Sequence, residues 1–190
     1  MTYNNIEHKV TSKVLEFAVI NADEKISSML KIEVGDFVYL INRVRYVDKE
    51  PLVMEKTYMP LSVIPGVKMK DVEGSIYNYI REELGFKIQS AHSTIRADKS
   101  SESDRKYLKL KSDEPIIEVE RVAYLDNGKA FEYSFARHRY DKYVIQNYYS
   151  NLIEKIYLKN KEKLKASPYF MLKFLYKTIK IYDFGKVNKN

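Results

Sequence analysis

Apolar and polar positions repeat along the first 150 residues, and the repeat divides them into two similar halves. Residues 30–48 (LKIEVGDFVYLINRVRYVD) match residues 108–126 (LKLKSDEPIIEVERVAYLD) at a constant offset of 78, with six of 19 positions identical. Most of the other positions keep their apolar or polar character. Two copies are too few for a solenoid, so the repeat predicts one pseudo-symmetric domain built from two similar units.

Each half is predicted to contain a short helix, a strand, a turn and a returning strand. Polar and acidic residues at 21–24 and 101–104 supply caps and first-turn acids for helices that end at Leu30 and Leu108. The strands that follow are rich in β-branched and aromatic residues. They are predicted at 37–46, 52–58, 116–124 and 130–139.

The segment between the halves has its own pattern. Proline punctuates residues 59–66, and apolar residues at helical spacing predict a helix over 75–84 that Gly85 ends. A further strand is predicted at 86–97, and residues 143–149 are expected to continue or close the sheet.

The second hairpin carries a strong turn signal. A two-residue Asn127-Gly128 loop accepts positive φ and would pair Ala123 with Glu132. Side chains two residues apart on a strand share a face. The residues that then line one face with Glu132 are Ser134, Ala136 and His138.

The first hairpin has one more residue between its first strand and Glu55 than the second hairpin has before Glu132. A three-residue loop over 49–51 would pair Arg45 with Glu55 and make the two copies equivalent, so it is the preferred arrangement. The face predicted from it carries Arg43, Arg45, Glu55 and Thr57.

These faces suggest a site for a small polar anion. Arginine binds phosphate or carboxylate in a bidentate way, and Ser75 and Tyr77 stand near a helix start, where free N–H groups attract anions. The opposing interpretation is structural, because Arg43 recurs as Arg121 and cross-strand Arg–Glu pairs are common surface features. Arg45 is the better functional candidate, since its counterpart in the second half is an alanine.

Composition and charge exclude several classes of function. The chain has no cysteine and three histidines far apart, so no metal site, cofactor motif or cysteine nucleophile is predicted. No signal peptide or membrane span is apparent, which points to a cytoplasmic protein. Residues 1–150 hold 23 basic and 23 acidic side chains, so the net charge of +7 belongs to residues 151–190. The basic character is therefore a property of a tail.

An ordered set of short motifs identifies a family. The motifs are Arg43-Val-Arg45, Glu55-Lys-Thr-Tyr-Met-Pro60, Ile64-Pro-Gly66, Gly74-Ser-Ile-Tyr77 and Glu132-Tyr-Ser134. The sequence resembles the UTRA effector-binding domain of GntR-type transcriptional regulators, in the HutC subfamily, over about residues 12–149.

The resemblance implies an α+β fold with helices on an antiparallel sheet like that of chorismate lyase, here internally duplicated. It implies a domain over 1–150, a homodimer, no catalysis, and a small effector such as a phosphosugar that controls how an attached winged helix-turn-helix domain binds operator DNA. Position by position, the anion end would be Arg43, Arg45, Ser75 and Tyr77, and the sugar would be held by Glu55 and Glu132.

The sequence departs from the family in three places. Residues 1–11 are too few for the winged helix, so operator binding is expected only through a domain absent from this chain. The usual Tyr-Arg-Gly-Asp late in the last hairpin is His138-Arg-Tyr-Asp141 here, which would add pH sensitivity near neutral. The tail at 151–190 is atypical: it is either an added interaction element or translation past a lost stop codon.

Two other classes of function stay open. The first is a chorismate-lyase-like enzyme on the same fold, although the sequence contains no known catalytic motif that would support it. The second is binding of nucleic acid or an anionic membrane by the basic tail.

Overall fold

Two copies of one unit build the fold, as the repeat predicts, and each unit has one strand before the predicted helix and hairpin. The computed structural model describes residues 9–145. The chain divides into two units, Met1–Tyr143 and Val144–Asn190, and the elements below belong to the first. The tail at 151–190 lies outside the described residues. Of the segment 143–149, which was expected to continue or close the sheet, residues 146–149 also lie outside them, and 143–145 do not form a strand.

The bounds of equivalent elements differ by the predicted offset of 78 residues in three of the four pairs. The first unit is β1 (Val10–Asn21), α1 (Glu24–Leu30), β2 (Phe37–Val47) and β3 (Glu50–Pro60). The connection holds α2 (Met69–Glu73), α3 (Ile76–Asn78) and a π-helical turn (Tyr79–Glu83). The second unit is β4 (Ile88–Lys99), α4 (Glu102–Leu108), β5 (Pro115–Leu125) and β6 (Ala130–Arg139).

The two matched helices begin and end alike. Asp23 caps α1 by accepting the Ile26 N–H at 2.7 Å, and Ser101 caps α4 through its hydroxyl. Both helices end in a lysine with left-handed backbone, Lys31 at φ 58° and Lys109 at φ 56°. The predicted caps and helix ends are therefore confirmed in both halves.

A single antiparallel sheet joins the halves, with strand order β1-β2-β3-β6-β5-β4. One face, which we call the helix face, packs against α1 and α4 through Val38, Tyr58, Tyr133 and Val44. The opposite face, which we call the site face, packs at one end against the connection between the halves. This is the expected α+β arrangement of helices on an antiparallel sheet.

The first hairpin differs from its prediction. The loop has two residues, Asp48 and Lys49, both at positive φ (49° and 70°), and the register shifts between Arg45 and Tyr46. The predicted Arg45–Glu55 pair is wrong, because Glu55 lies opposite Arg43 and Arg45 lies opposite Val53. The odd residue sits in a β-bulge and not in the loop. The shift by two residues leaves Arg43, Arg45, Glu55 and Thr57 on one face, as predicted.

The second hairpin keeps its predicted pairing through a different turn. The Leu125 N–H donates to the Lys129 carbonyl at 3.0 Å, so the loop has three residues and Gly128 takes φ 81°. A bulge follows in β6, and Ala123 still lies opposite Glu132 as predicted. Glu55 and Glu132 are therefore not equivalent positions, because one faces an arginine and the other an alanine.

The connection contains less regular helix than predicted. The expected helix over 75–84 is α3 followed by the π-helical turn, and both end before Gly85, which has φ 68°. The predicted strand at 86–97 is β4. Its counterpart β1 was not predicted, and a bulge at Leu15 interrupts its alternating pattern.

Candidate functional site

A group of buried polar side chains occupies the centre of the site face, where β3 meets β6. The register places Thr57 opposite Ser134 and Val53 opposite His138. The buried polar residues here are Arg43, Thr57, Glu132, Ser134 and His138. Buried polar groups cost free energy unless they are paired, so this concentration in one sheet indicates a site.

Glu132 is the most buried acid of the group. The Ser134 hydroxyl donates to its Oε1 at 2.6 Å, and the Tyr77 hydroxyl also hydrogen-bonds to it. Burial raises the pKa of Glu132, while Ser134 and Tyr77 act in the opposite direction. The carboxyl is therefore set among hydroxyl groups, as a group that recognises a hydroxylated ligand would be.

Tyr77 brings the connection to the sheet. It belongs to α3, and its ring meets Phe131 edge to face at a centroid distance of 5.8 Å. Burial, with the nearby Glu132, raises the pKa of the phenol. Tyr77 is thus a neutral hydroxyl over the predicted site.

Arg43 is fixed in place. Its Nε donates to Glu55 Oε2 at 2.7 Å, and its Nη1 donates to the Val72 carbonyl of α2 at 2.6 Å. The side chain is buried. Arg43 therefore ties α2 to the sheet, and its contribution to a ligand would come from its remaining N–H groups.

Arg45 has no such restraint. It is half-buried, and within residues 9–145 its guanidinium makes no hydrogen bond or ion pair. Burial lowers its pKa, Glu55 raises it, and Arg43 lowers it further. A half-buried arginine that forms no salt bridge has its guanidinium N–H groups available to bind an anion.

Arg121 is a further candidate for the site, which the sequence reasoning passed over as a structural repeat of Arg43. Its Nε donates to Ser93 Oγ at 3.3 Å, and its charge acts on the nearby Glu132 carboxyl, although the two form no salt bridge. Its charge acts to lower the pKa of Tyr77, against the effect of burial, and adds to the lowering of the pKa of His138. The signal was available, because Arg121 precedes Ala123 by two residues and so shares its face.

His138 lies deep in the group, 2% exposed, with its ring stacked on Tyr143 at 4.2 Å. Burial lowers its pKa to about 4, although Glu55 acts to raise it. The expectation of titration near neutral pH is therefore wrong, since the imidazole is neutral there.

Ser75 stands apart from the group. It is exposed and caps α3, its hydroxyl accepting the Asn78 N–H at 3.2 Å. In the described part of the chain no hydrogen bond links it to the sheet residues, and α3 has only three residues.

The arrangement is suited to binding. Arg45 and Arg121, neither of which forms a salt bridge within residues 9–145, share one face of the sheet with carboxyl and hydroxyl groups. Among residues 9–145 no cluster of three potential metal ligands occurs. A search of the same residues finds no helix of the length and apolarity that crossing a membrane requires.

Comparison with known proteins identifies the family. The model of the UTRA domain matches residues 6–144. The chain is 46% identical over 139 residues to the HTH-type transcriptional regulator GmuR of Bacillus subtilis, covering 73% of this chain and 59% of GmuR. It is 34% identical over 123 residues to MngR of Escherichia coli, the repressor of a mannosyl-D-glycerate transport and metabolism system, covering 65% of this chain and 51% of MngR.

Solved structures agree. A GntR-family regulator from Bacillus cereus is 38% identical, with a TM-score of 0.66 over 74% of this chain and 99% of that one. The effector domain of PhnF from Mycobacterium smegmatis shares the fold at 23% identity, with a TM-score of 0.70 over 75% of this chain and 88% of that domain.

The chain belongs to the UTRA domain family, the regulatory ligand-binding domains of GntR-type transcriptional regulators. The predicted family and its α+β, chorismate-lyase-like fold are confirmed. The relatives are regulators, so enzymatic activity is not indicated. The chain spans 59% of GmuR and 51% of MngR, a little over half of each.

Proposed function

We propose that this domain senses a small anionic metabolite, most simply a sugar phosphate, and so controls operator binding by a cytoplasmic, homodimeric regulator. The DNA contact would be made by a winged-helix domain outside this chain. The observation that carries the proposal is Arg45, a half-buried arginine without an ion-pair partner among the described residues, on the same face as Glu132.

The charges of the group favour an anion with hydroxyl groups. Arg45 would hold the phosphate or carboxylate by forked hydrogen bonds, and Arg121, which lies near Tyr77 and Glu132, would act at the sugar end. The sugar hydroxyls would meet Glu132, Ser134 and Tyr77, whose own hydrogen bonds already converge.

The other predicted residues take supporting parts in this proposal. Arg43 and Glu55 would order the pocket wall through α2, and His138 would supply a neutral ring. Ser75 would need a movement of α3 to join them. That MngR is a repressor of a mannosyl-D-glycerate system supports a sugar-derived anion as the class of ligand.

Thermal unfolding of the full chain with a panel of sugar phosphates, each beside its unphosphorylated sugar, tests the proposal. A ligand at about 100 times its Kd stabilises the folded state by about 2.7 kcal/mol. We expect at least one phosphate to raise Tm while its parent sugar does not.

Two variants locate the effect. Arg45→Ala should abolish the shift. Lys56→Ala, which removes an exposed cation from the opposite face of β3, should leave it intact. A panel without any stabilising anion, or a shift that survives Arg45→Ala, would refute the site.

A further inference from the structure

The site face carries, where β1 meets β2, a hydroxyl group that the fold does not use. Ser12 of β1 lies directly opposite Arg45 of β2, so the two side chains are neighbours on that face. The Ser12 Oγ is buried, and it makes no hydrogen bond within residues 9–145. A buried hydroxyl group without a partner costs free energy on folding, so its position beside Arg45 indicates a role other than stability.

The second half of the domain has neither member of this pair. With the offset of 78, Arg45 corresponds to Ala123, and the residue opposite Ala123 on β4 is Ala91. Both polar side chains of the first half are therefore replaced by methyl groups at the equivalent place, while the two strands still pair there. The fold does not require the Ser12–Arg45 pair.

The second half has its own pair of arginine and serine, and there the two side chains bond to each other. Arg121 lies opposite Ser93, and its Nε donates to the Ser93 Oγ at 3.3 Å. Ser12 and Arg45 make no such bond in the described part of the chain. The hydroxyl group and the guanidinium of the first half are therefore both available to one further group.

Of the two residues paired directly with Arg45, only Ser12 has a side-chain donor. The residue on the other side is Val53 of β3, which is buried and apolar. The next residue of β1 on the same face is Val14, which lies opposite Arg43. Ser12 is thus the residue placed to add a third hydrogen bond to a group that Arg45 holds.

A groove leads to this part of the sheet. It has a volume of about 480 Å³ and is lined by Ser12–Phe17 of β1 and by Met69 and Glu73 of α2. Arg43 ties α2 to the sheet from the site face, so the groove borders that face. A small anion can therefore reach Ser12 from solvent along this groove.

We infer that Ser12 is a ligand-binding residue, whose hydroxyl group donates to the anion held by Arg45, and that the two together select phosphate over carboxylate. The guanidinium fork binds two oxygens, which are all that a carboxylate has. A phosphate group presents a third oxygen outside the plane of the fork, and the Ser12 hydroxyl binds it. The inference rests on the proposed function, since it adds a donor to the same anion end. Ser12 supplies the serine hydroxyl for which Ser75 was the predicted source.

Titration of the full chain with inorganic phosphate, and separately with acetate, tests the inference through the Nε–Hε resonance of Arg45. Ser12→Ala should weaken phosphate binding by about tenfold, because a hydrogen bond to a charged group is lost, and should leave acetate binding unchanged. Ser12→Thr keeps the hydroxyl group and should keep most of the phosphate affinity. Thr11→Ala removes an exposed hydroxyl group from the opposite face of β1 and should change neither affinity.

Thermal unfolding without phosphate separates a binding role from a structural one. Ser12→Ala removes an unpaired buried hydroxyl group, so its Tm should equal or exceed that of the wild type. A lowered Tm, a wild-type Arg45 resonance that phosphate leaves unchanged, an unchanged phosphate affinity in Ser12→Ala, or an equal loss for acetate overturns the inference.

The panel of sugar phosphates reports the proposed function separately. A sugar phosphate whose binding needs Arg45 but not Ser12 would overturn the inference alone. Binding of inorganic phosphate that depends on Ser12, without any stabilising sugar phosphate, would overturn the proposed function alone.

Discussion

Equivalent positions beneath the two matched helices hold opposite kinds of side chain. Under α1, Ile26, Leu40 and Tyr58 pack as apolar core. The positions that correspond under α4 are Asp104, Glu118 and Arg137. Asp104 is fully buried, and the Arg137 guanidinium donates to both acids and, at 3.2 Å, to Asp98.

The site face also differs between the halves. Arg43 faces Glu55 in the first half and forms a salt bridge with it, whereas Arg121 faces Ser134 in the second and forms no salt bridge among the described residues. Buried Met59 in the first half corresponds to His138 in the second. The duplicated backbone is thus preserved while the side chains at equivalent positions differ, and a binding site can arise where two such halves meet.

Removal of Arg137 should have the largest effect on stability of the changes that distinguish the two halves. Burial by itself would lower the pKa of Arg137, but the surrounding carboxylates raise it above its ordinary value. Arg137→Ala leaves Asp104 and Glu118 without their cation, so we expect a loss of about 3–5 kcal/mol in the free energy of unfolding, measured by urea denaturation.

Transfer of the first half's residues into the second gives the control. The triple variant Asp104→Ile, Glu118→Leu, Arg137→Tyr replaces the ion network with the apolar set found under α1. Buried ion networks are often replaceable by apolar residues at little cost. Stability should therefore recover to near wild type. A triple variant as unstable as Arg137→Ala would show that the halves are not equivalent here.

The titration of His138 should appear as a pH dependence of stability. Its folded pKa is about 4, below the ordinary value of 6.5. The unfolded chain therefore takes up the proton first, and stability falls as pH drops from about 6.5 to 4, by about 3 kcal/mol at most.

His138→Met, which copies the first half, should remove this dependence in denaturation measured across the same pH range. His92→Gln, at an exposed position of β4, should retain it. Equal slopes in the wild type and His138→Met would contradict the assigned pKa.

Substitutions at the two helix ends should have the smallest effects on stability, and the effects should be alike in the two halves. Lys31 and Lys109 both have left-handed backbone, and in each helix the next residue's N–H donates back into the last turn at 3.1 Å. Glycine adopts this conformation without strain. Lys31→Gly and Lys109→Gly should each stabilise the chain by about 0.5–1 kcal/mol in thermal unfolding. Unequal effects would mean that the halves have diverged in their caps as well.

Repetition explains why the fold was predictable from the sequence. Caps, helix ends and strands appear twice at one offset, so a weak local signal such as Ser101 gained support from its counterpart near Asp23. The loop lengths were predicted wrongly because Asp48-Lys49 adopts positive φ without glycine or asparagine. The bulges in β3 and β6 compensate for the different loop lengths, so the predicted residues still share a face. The residue types at the bulges do not predict them.

The site was predictable in its membership more than in its roles. Facing rules placed Arg43, Arg45, Glu55, Glu132 and His138 on one face of the sheet, and the register of the strands agrees. Arg43 is held in place by a hydrogen bond to the Val72 carbonyl of α2, while Arg45 is not. The two bonded residues are 29 positions apart, so no local sequence pattern predicts this contact. Arg121 was missed because its recurrence was taken as evidence of a purely structural role.

Arginine side-chain NMR tests the central claim most directly. The full chain is titrated with a stabilising sugar phosphate from the thermal panel and, separately, with its unphosphorylated sugar, while the Nε–Hε resonances of Arg43, Arg45 and Arg121 are followed. The phosphate should shift the resonances of Arg45 and Arg121, and the sugar alone should not. An Arg45 resonance that stays unchanged at saturating phosphate would contradict it.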